Sequence, residues 1–150
     1  MSNRLNDKGI TLEELLIVMV IVAIGAVLMV PNIGAWLPNY RLRSATRDIV
    51  STLRIAQTKA VSTKMNYQVS FDPGKGSYIL RHNSGWTRFD EGNPETLPSG
   101  ILISAITFPD NKAQFDPRSV SSGGSIILQN PKKTERRITL STATGRVNVN

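Results

Sequence analysis

From Leu15 to Tyr40 this 150-residue chain carries no charged side chain, and two carboxylates, Glu13 and Glu14, stand at the head of that stretch. Leu15 to Val30 is apolar on every helical face, the pattern of a helix that lies in lipid or in a fully buried packing core. A helix of about 20 residues crosses a hydrocarbon layer of about 30 Å, and the stretch reaches that length once Ile33 to Leu37 are included. A basic leader with Arg4 and Lys8 precedes it and ends at Gly9. Positive charge on that side keeps the N-terminus cytoplasmic and exports the remainder. A secretory signal shares the basic start and apolar middle, but it does not open the middle with paired acids, and it ends in an Ala-x-Ala type cleavage site. No good site of that kind follows here.

The run Lys8-Gly9-Ile10-Thr11-Leu12-Glu13-Glu14-Leu15 resembles the class III leader of type IV pilins and pseudopilins. That resemblance implies cleavage after Gly9 by an inner-membrane prepilin peptidase. It also implies N-methylation of the new N-terminal residue, Ile10, where the family more often has phenylalanine. The family's glutamate at the fifth place of the mature chain falls on Glu14, and its helix-kinking proline at the twenty-second falls on Pro31. A permanent single-span anchor is the plainer alternative, and it explains neither Gly9 nor the placing of Glu14.

An ionised side chain near the membrane interior costs on the order of 3 kcal/mol and normally finds a partner. Cleavage creates one, because the new α-amino group of Ile10 is cationic below its pKa of about 8. The resemblance implies that Glu14 meets the N-terminus of a neighbouring subunit during assembly, where a misplaced subunit would leave a charge unpaired. Glu13 reads as an interfacial acid favoured by the helix dipole. Pro31 removes a backbone hydrogen bond and loosens the helix, and Gly34 and Pro38 extend the weak zone.

From Asn39 the pattern changes. Leu42, Ala45, Ile49, Leu53, Ala56 and Ala60 recur at three- and four-residue spacing, with Arg41, Arg43, Arg47, Asp48, Arg54 and Lys59 around the rest of the circumference. This predicts an amphipathic helix with one stripe under a sheet and a solvated basic face. The combined helix runs from about Thr11 to Thr63.

After Met65 the chain is β-rich. Strands are predicted at Tyr67 to Phe71, Ser77 to Arg81, Trp86 to Phe89, Ile101 to Phe108, Ser125 to Leu128, Arg136 to Ser141 and Arg146 to Val149. Asp72-Pro73-Gly74-Lys75-Gly76 reads as a turn between the first two. Tyr67, Val69 and Phe71 alternate with Gln68 and Ser70, as in a sheet with one buried face. Residues 90–100 and 109–124 read as loops, and Trp86 and Phe89 as core or sheet-packing residues.

The later fragments Tyr67-Gln68-Val69-Ser70-Phe71, Gly85-Trp86-Thr87-Arg88-Phe89-Asp90, Phe115-Asp116-Pro117-Arg118, Gly123-Gly124-Ser125-Ile126 and Thr144-Gly145-Arg146-Val147 are similar, in that order, to the GspH/FimT family of minor pseudopilins and minor type IV pilins. The implied fold is α+β: a long N-terminal hydrophobic α-helix, serving as membrane anchor and filament spine, packed on a C-terminal antiparallel β-rich head. The implied organisation is a leader at 1–9, a transmembrane or filament-core helix at 10–37, its amphipathic continuation at 38–64 and a periplasmic head at 65–150. The implied partners are other pilins, the prepilin peptidase, the inner-membrane assembly platform and, before assembly, membrane lipid. The subunit would sit at or near the filament tip.

Catalysis has little support. His82 is the only histidine and cysteine is absent, so no second histidine or thiolate is there to build a metal site. A Ser-His-Asp arrangement would rest entirely on His82, with no nucleophile motif to mark its serine. No phosphate-cradling loop opens a helix, and no cofactor is expected. The rival reading is nucleic-acid binding. The chain's net charge is +7, and Lys132, Lys133, Arg136, Arg137 and Arg146 gather in the final hairpin, where they could neutralise phosphates. DNA-uptake members of the same family carry Gly-Arg-x-Arg near the C-terminus. Here Gly145-Arg146-Val147-Asn148 lacks the second arginine, and no aromatics interleave with the basic cluster to stack on bases. A solvated hairpin turn is the favoured reading of that cluster.

Overall fold

The computed structural model describes residues 11–29, 33–84 and 87–150. The chain divides into two compact units, Met1–Trp36 and Leu37–Asn150. In the first, helix α1 spans Leu12–Met29. Thr11 starts it: its Oγ1 accepts the Glu14 backbone N–H at 3.3 Å, satisfying one of the free donors of the first turn. Glu13 and Glu14 occupy that first turn, where the positive end of the helix dipole favours acids. No helix among the described residues is long and apolar enough to cross a membrane. The helix predicted over Thr11 to Thr63 is described as two, α1 and α2 (Ile33–Thr63). Pro31 lies between them, outside the described residues. Pro38 does not interrupt α2, which runs through it, although a proline there removes the bond to the residue-34 carbonyl and crowds that group.

From Leu37 onward α2 is the spine of the second unit. Leu42, Ala45, Ile49, Leu53, Ala56 and Ala60 are all at most 1% exposed, so the predicted stripe is the buried one. Thr46 is buried beside it, its hydroxyl satisfied by donating to the Leu42 carbonyl at 2.7 Å.

Two antiparallel sheets complete the core. The first is ordered β3-β2-β1-β6, with β4 also pairing β2. Its strands are β1 (Asn66–Asp72), β2 (Ser77–Ser84), β3 (Thr87–Asp90), β4 (Glu95–Thr96) and β6 (Lys112–Phe115). The second is ordered β5-β7-β8-β9, from β5 (Leu102–Ile106), β7 (Gly124–Gln129), β8 (Glu135–Leu140) and β9 (Val147–Val149). The α2 stripe forms one apolar cluster with Tyr67, Val69 and Phe71 of β1, Phe115 of β6, Ile126 and Leu128 of β7, and Ile138 and Leu140 of β8. Burial of such side chains, at roughly 1.5–3 kcal/mol each, is what holds the two sheets over one helix.

The turn after β1 forms as predicted. Asp72 Oδ1 accepts the N–H groups of Gly74 and Lys75 at 3.0 and 3.1 Å, a local bond that fixes the chain reversal. Asn130 does the same for the β7–β8 turn through Lys132 and Thr134, and its Nδ2 donates to Asn39 Oδ1 of α2 at 2.9 Å.

Two expectations are corrected. The segments read as loops at 90–100 and 109–124 contain β4 and β6, and β6 pairs with β1 in register Val69↔Ala113. Gln68, read as outward and polar, is only 2% exposed. It is on the inner strand β1, paired on one side with Arg81 of β2 and on the other with Gln114 of β6, so both flanks of its strand are occupied. Of the two roles read for Phe89, core or sheet-packing, the structure shows the second: it is 46% exposed and stacks on its cross-strand neighbour His82, the rings 5.2 Å apart. Trp86 lies outside the described residues.

Candidate functional site

Two features face outward. The first is α1. Leu12, Leu15, Leu16, Ile17, Val18, Met19, Val20, Ile21, Val22, Ile24 and Val27 are all exposed, between 49 and 80%. They sit on every face of the helix, because an uninterrupted apolar run leaves no polar side. Apolar surface on this scale marks a contact with lipid or protein. Glu14 lies in its first turn and is exposed. Gly9, Ile10 and Pro31 lie outside the described residues.

The second feature is a groove of about 720 Å³ between α2 and the second sheet. Arg43, Arg47, Arg54 and Lys59 enter it from α2 and Arg136 from β8, with Val50, Ile55 and Val149 between them. Of the five basic residues picked out in the final hairpin, the structure sends only Arg136 here. Arg137 follows it on β8 and therefore points to the opposite face. Lys132 and Lys133 are in the β7–β8 turn, exposed. Arg146 lines a neighbouring cleft of about 470 Å³ with Arg54, Gln57 and Asn148. The hairpin cluster is thus dispersed. Instead, Arg54 lines both clefts and connects Arg136 and Arg146 to the arginines of α2. Read from the sequence, those arginines were a solvated face. No local pattern pairs residue 47 with residue 136, since only the packing of β8 and β9 beside α2 does so.

A polar cluster closes the far end of α2. Lys59 Nζ pairs with Glu91, whose Oε1 accepts the Tyr67 hydroxyl at 3.0 Å and lies 3.1 Å from His82 Nδ1. The hydrogen bond from Lys59 holds the Glu91 carboxyl below the usual carboxylate range, Tyr67 adding to the effect. The same bond raises the Lys59 ammonium. His82 is in β2 between the Tyr67 and Phe89 rings. Nearby, burial and a 2.6 Å hydrogen bond to Glu95 raise the Tyr78 hydroxyl far above its ordinary value. These contacts are tied up within the fold. Among the described residues no group of three or more His, Asp or Glu side chains is placed to hold a metal ion.

A family model described as type II transport protein GspH matches residues 45–144. A comparison with curated proteins returns no match. Among solved structures, the chain is similar to the minor pseudopilin EpsH from the type 2 secretion system of Vibrio cholerae, at 12% identity and a TM-score of 0.61, covering 73% of this chain and 96% of that one. A second structure of EpsH gives a TM-score of 0.58 over 75 and 94% of the two chains. The type IV minor pilin FimU of Pseudomonas aeruginosa is similar at 12% identity and a TM-score of 0.57, over 75 and 90%. At that identity the likeness to these structures is one of fold: a helix packed on antiparallel sheets.

Proposed function

The chain belongs to the GspH family, and from that premise we propose that it is a minor pilin or pseudopilin, a non-enzymatic structural subunit of a type II secretion pseudopilus or a type IV pilus. The observation that carries this reading is the contrast between its two units. Residues 37–150 close an apolar core of their own, while α1 leaves every face of an apolar helix uncovered. A helix of that kind is stable in lipid, and it is equally stable when other helices of the same character surround it in a filament.

In this reading the chain is cleaved after Gly9 by a prepilin peptidase and methylated at Ile10. It waits in the inner membrane with its head in the periplasm, anchored by residues 10–37, a span that includes positions beyond α1. Pro31 gives the helix a bend. Assembly then moves α1 from lipid to protein, driven by an inner-membrane platform, since nothing in the sequence reads as a nucleotide site of its own. Glu14 meets the α-amino group of a neighbouring subunit and fixes the stagger, because a misplaced subunit leaves a buried charge unpaired, at about 3–5 kcal/mol. The subunit takes a place at or near the tip.

A second reading, a DNA-binding minor pilin, has in its favour that Arg54 links Arg136 and Arg146 across two neighbouring clefts. The experiment that separates a filament subunit from a free anchor is recovery of the chain in the purified filament fraction of cells that assemble one. Recovery there, abolished by deletion of the assembly platform, is the expected outcome. A chain found only in the membrane fraction of such cells overturns the proposal.

A further inference from the structure

Resting on the reading of the chain as a filament subunit, we infer that the groove between α2 and the β8–β9 edge is the seat for an acidic amphipathic helix of a neighbouring, non-identical subunit. From Arg43 to Lys59 the groove follows α2 for about 24 Å, at 1.5 Å per residue. Its rim is basic and includes no acidic residue: Arg43, Arg47, Arg54 and Arg136 have no ion-pair partner among the described residues. Lys59 at the far end is already engaged by Glu91. Four unpaired guanidinium groups around a cleft are an uncompensated field that selects anionic partners.

Its floor decides which anion. Val50, Ile55 and Val149 lie between the arginines, and Ile55 and Val149 are 45 and 38% exposed. A duplex phosphate backbone would pair with the rim and leave that floor wet. Single-stranded nucleic acid would need rings to stack on, and the lining holds none. A helix with one apolar stripe and carboxylates on either side satisfies both, with anchors at three- and four-residue spacing. A second copy of this chain does not fit, because α2 carries Arg41, Arg43, Arg47, Arg54 and Lys59 against the single acid Asp48. Two such flanks repel, and that repulsion selects a different, acidic subunit.

The test uses the full chain in detergent micelles. It is titrated with a fluorescent helical peptide of about five turns carrying a leucine stripe flanked by glutamates. Two control peptides replace the glutamates by glutamine or the leucines by serine. The expected result is saturable binding of the first peptide, weaker by about tenfold for either control and for Arg47→Glu/Arg54→Glu, and unchanged for Lys75→Glu in the β1–β2 turn. Equal binding of the serine peptide would reduce the groove to a non-specific charged surface and overturn the inference. So would tighter binding, with the same dependence on Arg47 and Arg54, of duplex DNA or of phosphatidylglycerol vesicles.

A second arm exploits the absence of cysteine. Ser51→Cys, in the groove, is labelled with a maleimide in the membrane and filament fractions. Protection in the filament but not the membrane is expected, with Lys75→Cys labelled equally in both. If the wild-type chain never enters the filament fraction, the subunit reading itself fails. If it enters and Ser51→Cys labels as in the membrane, only the groove inference fails.

Discussion

Gly145 lies directly against Gln57 of α2: a Cβ built on Gly145 would stand 2.6 Å from Gln57 Nε2 and 2.7 Å from the Ser119 carbonyl oxygen. Gln57 Nε2 donates to Ser119 Oγ at 2.6 Å and to the Thr144 carbonyl at 3.4 Å, so one side chain of the helix holds the loop before β7 and the turn after β8 together. With φ at +59°, Gly145 also has a backbone that side-chain-bearing residues rarely adopt. Gly145→Ala is therefore expected to lose about 2–4 kcal/mol, about 1–2 from the left-handed backbone and the rest from the displaced amide. Urea unfolding of the Leu37–Asn150 unit measures it.

The stripe of α2 makes a sharper contrast. Ile49 is fully buried and Ile55 is 45% exposed on the same helix. Ile49→Ala should cost about 2–5 kcal/mol through lost burial and the cavity it leaves. Ile55→Ala should stay within about 0.5 kcal/mol. Equal losses would mean that the helix is packed on a different face.

That stripe was legible in the sequence because helical spacing is local, and β1, β2, β7 and β8 were legible because alternation and turn residues are local too. The first sheet's last strand was not. Lys112-Ala113-Gln114-Phe115 is short, it follows a Pro109-Asp110-Asn111 turn, and its partner β1 is far back in the chain. Glu95–Thr96 is too short to show any period. The basic groove was hidden for the same reason: Arg47 and Arg136 are brought to one cleft by the packing of β8 beside α2, a long-range event. The five basic residues of the final hairpin looked like a cluster because they are near in sequence. Alternation along β8 sends Arg136 and Arg137 to opposite faces.

The Lys59–Glu91 pair gives a pH signature. The Glu91 carboxyl titrates below its ordinary value in the folded chain, so the unfolded chain binds its proton first. The pair's contribution is fully present above the unfolded carboxyl pKa of about 4.3 and is lost as pH falls through the folded value. Glu91→Gln should flatten the acid limb of a plot of urea midpoint against pH. An unchanged acid limb would mean that the pair does not form. Lys59, whose ammonium is raised, acts on the alkaline side: its part is present below the unfolded lysine pKa of about 10.4 and fades above the folded one.

Glu14 offers a separation of charge from capping. Its backbone N–H is bonded to Thr11 Oγ1, and glutamine serves as well as glutamate at that helical position. Glu14→Gln should therefore leave the helicity of the membrane-bound chain unchanged while lowering recovery in the filament fraction about tenfold or more, since a neighbour's α-amino group loses its partner. Circular dichroism and quantitative blotting of the fractions read the two effects. Unaltered recovery would remove Glu14 from the assembly step.

The central claim, that this chain is processed as a filament subunit, is tested most directly by the intact mass of the protein recovered from the filament fraction. The account predicts a chain that lacks residues 1–9, begins at Ile10 and carries one added methyl group, and predicts that Gly9→Ala retains the leader and stays in the membrane. A full-length chain in the filament, or the same mass for the wild type and Gly9→Ala, would contradict it.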